Sequence, residues 1–260
     1  MSLVNTTSVQ CTLYPTAATT FTSLISQACP FDTIRDCEGP TTLMLIYDPN
    51  ATPKYSSFKM ALFGHSGRPV ISDSTSVCIK QCWYLCKALG ARLLYDNPTQ
   101  IVKLSAKINC LRWASALMGM VYDFVDKHIQ THGQPSSFTI PRMRFVKNAL
   151  AIVDMTHDTY MVEEVIDEAV HGTFVKYIRN GSVKPYEFLN GPTAYRAEFL
   201  AFSQHVQYLK TKGLAFIGDF QGMSNTRNYS YVQLVLTFSF SGGTCLLMDP
   251  QIMTASYVSL

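Results

Sequence analysis

The chain has 260 residues, of which 47% are hydrophobic and 15% charged, with a formal charge of +3. That apolar length suits one large or two small domains with a packed core and excludes a disordered chain. Lys and Arg form no cluster, which excludes a nucleic-acid footprint, and no apolar run reaches the roughly 18 residues of a membrane span.

Residues 1–20 do not read as a secretory signal. The eight cysteines (11, 29, 37, 78, 82, 86, 110 and 245) contain no C-x-x-C pair. In a chain of this size without a signal they read as reduced thiols of a cytosolic or nuclear protein, with a cytoplasmic location expected. Cys78, Cys82 and Cys86 recur every four residues, a spacing that suggests a metal. Small buried hydrophobes are the preferred reading.

Residues 1–40, rich in Thr, Ser and Pro, are expected to form a poorly structured arm. Residues 42–47 are apolar and β-prone. Residues 58–63 form another strand, running into a turn at Gly64-His65-Ser66-Gly67-Arg68-Pro69. Residues 76–83 read as a strand carrying Lys80. Asn97-Pro98 then caps a long helix in which Leu104, Ile108, Leu111, Met118, Val121, Val125 and Ile129 recur at helical spacing. It stops at Gly133. Strands are predicted at 149–153, 159–166 and 174–178, a helix at 194–209 ending by Gly213, and a buried strand at 214–217 leading into Asp219. This order predicts an α+β fold of two lobes, divided near residues 155–170.

Several residues bear chemistry. Gly64-x-x-Gly67 is either a surface turn or a phosphate loop. Lys80 is a phosphate anchor or, by preference, the solvent side of an alternating strand. Asp219, followed by Gln221 and Gly222, suits Mg²⁺, which takes hard oxygen ligands, or a turn. Asp249 precedes Pro250, whose ring restricts the backbone there.

Taken in order, Val77-Cys78-Ile79-Lys80, Tyr160-Met161-Val162-Glu163, Gly172-Thr173-Phe174-Val175-Lys176-Tyr177-Ile178-Arg179-Asn180, Ala201-Phe202-Ser203, Asp219-Phe220-Gln221-Gly222 and Asp249-Pro250-Gln251-Ile252 resemble the motifs of the α-kinases. That is the atypical protein kinase family of myosin heavy chain kinase, elongation factor 2 kinase and the channel kinases. The resemblance covers residues 58–254. It implies a two-lobed kinase-like fold with the active site between the lobes, and an ATP-dependent serine/threonine protein kinase using Mg²⁺. Lys80 would hold the ATP phosphates, supported by Arg68. Glu163, or neighbouring Glu164, would lie at the hinge by the adenine. Lys176 and Asn180 would face the phosphates, Asp219 and Gln221 would bind Mg²⁺, and Asp249 would orient the substrate hydroxyl or accept its proton. Such catalysis is mostly positioning and charge neutralisation. An acidic partner for Lys80 is expected on a helix, but the long helix offers only Asp123 and Asp126, and neither is assigned. The protein substrate has no signature, and no nucleic-acid or membrane partner is expected.

Two departures from the family pattern stand out. The family continues past D-P-Q-I with a glycine-rich loop and cysteines that share a structural Zn²⁺ with two histidines. This sequence stops at Leu260, so residues 255–260 read as a truncated tail. His205 is the one matching histidine, and structural Zn²⁺ is not expected. The alternative reading is therefore an impaired pseudokinase or ATP-binding interaction protein from a truncated gene model. Residues 223–241 also form an unusual insertion. They are expected to be a translated intron, because Gly222-Met223-Ser224 can encode a splice donor and residues 238–242 a pyrimidine tract ending in CAG. The competing reading is a β-hairpin across 229–240.

Overall fold

In a computed structural model the described residues are 6–135, 138–166, 168–224 and 245–254. The elements run in order β1 (Thr7–Pro15), α1 (Phe21–Ile25), β2 (Thr41–Tyr47), β3 (Lys54–Tyr55), β4 (Lys59–Ser66), β5 (Ser76–Cys86), β6 (Ala91–Leu94), α2 (Asn97–His132), β7 (Met143–Phe145), β8 (Asn148–Val153), β9 (Thr159–Glu164), α3 (Glu168–His171), β10 (Thr173–Ile178), α4 (Gly191–Lys210), β11 (Ala215–Ser224) and β12 (Cys245–Thr254). The mixture of helix and sheet agrees with the α+β expectation. The chain divides into two compact units. The first comprises residues 1–17, 31–109 and 147–165, and the second comprises 18–30, 110–146 and 166–260.

The first unit is built on an eight-stranded sheet in the order β3-β4-β2-β1-β8-β9-β5-β6, and an additional β4–β5 pairing closes a ring of six antiparallel strands. Successive strand residues point to opposite faces. One face gathers Cys11, Leu13, Leu43, Leu45, Val77, Ile79, Ala149, Ala151, Tyr160 and Val162 into a common core. Each large aliphatic side chain buried there contributes about 1.5–3 kcal/mol.

The expected N-terminal arm is corrected by this sheet. β1 lies between β2 and β8, and Cys11 and Leu13 are buried. The physical reason is the alternation of Val9, Cys11 and Leu13, which supplies one apolar face to the core. Gly64 is likewise no turn residue. It sits inside β4, where a Cβ would come within 2.4 Å of the Ile46 carbonyl oxygen on the paired strand.

The second unit carries a four-stranded sheet in the order β10-β11-β12-β7, antiparallel except for β12–β7. Val121 and Val125 of α2 pack with Val206 of α4. The α2 periodicity is matched by its burial, from Leu104 and Ile108 through Leu111, Met118, Val121 and Val125. Its N-terminus is capped one residue earlier than expected. Asp96 accepts from the Thr99 amide at 2.9 Å, and this hydrogen bonding holds the Asp96 carboxyl below its ordinary value. The insertion across 223–241 lies outside the described residues beyond Ser224, as does the tail at 255–260.

Candidate active site

In the first unit, the β5–β9 ladder pairs Cys78 with Glu163 and Lys80 with Met161, so Lys80 and Glu163 are diagonal neighbours on one face. That face is opposite to the one on which Val77, Ile79 and Val162 enter the core. The Lys80 Nζ donates to Glu163 Oε2, and the two residues are 9% and 3% exposed. Glu163 Oε1 is buried and accepts no hydrogen bond from the described residues. Lys80 is therefore a buried, paired cation and not the solvent side of its strand. Glu164 points to the other face, where its Oε1 accepts from the Lys147 amide at 2.7 Å. The acidic partner sought on the helix is supplied by a strand.

Arg68 is exposed in the loop after β4. That loop is pinned from both sides. The Ser66 hydroxyl bonds the Arg68 carbonyl at 2.8 Å and the Thr75 carbonyl at 3.1 Å, and the Gly67 amide donates to the Met44 carbonyl at 2.8 Å.

The second unit holds the other predicted residues. β10 pairs Lys176 with Gln221 of β11, and β11 pairs Asp219 with Gln251 and Gln221 with Met248 of β12. Asp219 is 5% exposed. The Lys176 Nζ donates to its Oδ2 at 3.3 Å. The same ammonium lies 3.2 Å from Oδ1 without aligning for a hydrogen bond, so among the described residues Oδ1 is ion-paired but not hydrogen-bonded. Gln221 is half-buried two residues on, and Asn180 is exposed just past the end of β10.

The pairing between β11 and β12 shifts around Asp219. Between Asp219 and Gln221 there is one residue on β11, whereas two, Asp249 and Pro250, separate their partners on β12. This bulge turns Asp249 into the left-handed region, at φ 44°. A non-glycine residue held there costs on the order of 1–3 kcal/mol, and such conformations cluster at functional sites. Two glycines frame the segment. A Cβ on Gly222 would lie 2.1 Å from the Leu246 carbonyl oxygen, and one on Gly218 would lie 2.4 Å from Met253 Cγ.

Three supporting residues carried no sequence signal. On α4, the Gln207 side-chain oxygen accepts from the Ile217 amide at 2.9 Å, and Gln204 Nε2 donates to the Ile217 carbonyl at 2.7 Å. The peptide two residues before Asp219 is thus held by side chains where the ladder is irregular. On α2, the Cys110 thiol donates to the Pro250 carbonyl at 3.2 Å, beside Asp249. Side-chain amides and thiols of this kind announce no role until their partners are known.

His205 is exposed on α4. Among the described residues no group of three or more His, Cys, Asp and Glu could hold a metal ion, and all eight cysteines are free thiols. No helix among the described residues is long and apolar enough to cross a membrane.

The model of the Alpha-kinase family matches residues 105–259, more than half of the chain, and the chain belongs to that family. No curated protein matches it. The matched region omits Lys80, but Lys80 is bonded to Glu163, which lies inside it. Membership carries with it protein kinase chemistry in general, with ATP and a divalent metal.

Proposed function

We propose that the chain is an ATP-dependent protein serine/threonine kinase, transferring the γ-phosphate of Mg-ATP to a Ser or Thr hydroxyl. The observation that carries this reading is the Asp219 carboxylate. It is buried, it accepts from Lys176 through one oxygen, and its other oxygen, ion-paired to the same ammonium, accepts no hydrogen bond from the described residues. A buried anion left partly unbonded is costly, and a hard divalent cation is the partner that suits it.

Asp219 and Gln221 would hold Mg²⁺, which when bound neutralises charge on the phosphates. Lys80 binds phosphate as a point charge. Glu163 fixes the Lys80 ammonium, and the adenine contact falls to the same hinge segment. Arg68 supports the phosphates from its pinned loop. Lys176 and Asn180 face them from the second sheet. Asp249 orients the acceptor hydroxyl or takes its proton, and its bulged backbone fixes the direction of the carboxylate. None of these roles needs a covalent intermediate, since positioning and charge neutralisation provide most of phosphoryl-transfer catalysis.

The test is transfer of labelled γ-phosphate from Mg-ATP to a generic basic protein, comparing the chain with Asp249→Ala. The expected result is transfer that the substitution abolishes. ATP binding without any transfer would sink the reading in favour of a pseudokinase.

A further inference from the structure

Away from these residues, the first unit has an open cleft of about 290 Å³, lined by Phe58, Cys82, Trp83, Tyr95, Lys103 and Lys107. Its floor is aromatic and its charge is of one sign. Lys103 and Lys107 stand one turn apart on α2, and their ammoniums lie 4.5 Å from the Tyr95 ring centre and 4.6 Å from that of Phe58. Lys59 approaches the same Phe58 ring at 5.9 Å. Arg92 covers the Trp83 ring at 4.9 Å. Among the described residues neither Lys103 nor Lys107 has a carboxylate partner. Burial raises the Cys82 thiol above its ordinary value while the charges of Lys59, Lys103 and Lys107 pull it down, so three cations surround the floor. The Trp83 Nε1 is buried and bonds no acceptor among the described residues. Two ammoniums without a carboxylate partner at the rim of an aromatic cleft suit anionic oxygens.

We propose that this cleft binds a phosphorylated side chain of a peptide, with Lys103 and Lys107 taking the phosphoryl oxygens and the rings of Phe58 and Tyr95 packing on its apolar neighbour. Charge and size choose this occupant. Converging cations suit a dianion better than a single carboxylate. The volume sits at the lower end for small-molecule pockets, enough for one modified side chain. The site needs no catalysis by this chain, so it stands apart from the kinase reading.

The chain has two tryptophans, Trp83 and Trp113. Trp113 packs against Phe21 in the second unit. In a Trp113→Phe chain, emission therefore reports Trp83 alone. The probe is the peptide Ala-Ala-Phe-Ala-phosphoserine-Ala-Ala, run beside an unphosphorylated twin with alanine in place of the phosphoserine, inorganic phosphate and vesicles containing phosphatidylinositol phosphate, all in saturating Mg-ATP. The phosphopeptide should change Trp83 emission saturably, at concentrations at least about tenfold below those needed for the twin or for phosphate, and rising salt should weaken it. Lys103→Gln with Lys107→Gln should weaken it by about tenfold or more. Equal response to the twin, equal response to inorganic phosphate, no response to the phosphopeptide, or binding of the vesicles alone would each overturn the proposal. The comparison of phosphopeptide with twin uses unaltered lysines, so it decides the matter even where the double substitution disturbs folding.

Discussion

Glu163 stands diagonally across the β5–β9 ladder from Lys80 and bonds its ammonium, both side chains being almost wholly out of water. Removing one member strands the other as a buried charge. Lys80→Ala or Glu163→Ala should each destabilise the chain by about 3–5 kcal/mol. The double change Lys80→Met with Glu163→Leu should cost far less than the sum, while ATP binding is lost. Urea unfolding of the four proteins checks this, and additive losses would contradict it.

The two glycines around Asp219 should differ in sensitivity. At Gly222 the added methyl meets backbone at 2.1 Å, which cannot yield without breaking the β11–β12 ladder. At Gly218 it meets the Met253 side chain at 2.4 Å, which can rotate. Gly222→Ala should therefore cost at least about 3 kcal/mol and Gly218→Ala about 1–2 kcal/mol, the range for overpacking. Thermal melts of the two variants would show the order.

Asp249→Asn keeps a residue type that tolerates positive φ. It should leave the melting temperature nearly unchanged and lower phosphate transfer by roughly 10²–10⁴-fold, the usual contribution of a positioned general base. A stable variant with full transfer would remove Asp249 from the chemistry.

Stability should decline in alkali. Burial pushes the Cys11 thiol up from 9.0 to about 11 and the Tyr122 phenol up from 10.0 to about 12. Each group holds its proton more tightly when folded. The unfolded chain therefore binds fewer protons across those windows, and stability falls as pH rises through them. Urea midpoints should hold steady up to about pH 9 and drop between about 9 and 12. A flat profile would show that these groups are hydrated in the folded chain.

β11 and β12 are antiparallel neighbours paired as far as Gly222 with Leu247, so the segment between Ser224 and Cys245 connects adjacent strand ends. A short connection would serve the same topology. Deleting residues 225–243 and joining the ends through two residues should preserve the sheet and raise stability by up to about 2 kcal/mol from the smaller loop-closure entropy. A loss of stability in the melt would give the segment a structural role.

Period and punctuation made β2, β4, β5, β8, β9, β10 and the helices α2 and α4 readable, whereas β3, β6, β7 and β12 were not predicted. The strand around Lys80, the stop near Gly213 and the order of elements follow from apolar spacing and turn residues. β1 escaped although Val9, Cys11 and Leu13 alternate, because its Ser and Thr residues occupy the other positions and resemble a polar arm. The partner of Lys80 escaped for a different reason. Glu163 lies 83 residues away, and only the register of β5 on β9 brings it near. The bulge at Asp249 and the glutamine clamp on Ile217 arise from ladder irregularities, which no local pattern encodes. The strand carrying Asp219 was placed correctly but ended too early, since Gly218 and Gly222 looked like breakers and are instead points of close backbone approach.

The position of β1 also sets an order of events during synthesis. One of its flanks is covered by β2, which follows within the first 47 residues, but the other waits for β8, and the Thr16 hydroxyl bonds Asn148 across 132 residues of sequence. Until that strand leaves the ribosome, at roughly 5–20 residues per second, the nascent chain presents an unpaired β1 flank and an open ring. A pause introduced into the message before residue 148 would prolong that interval and favour pairing between chains on the same polysome.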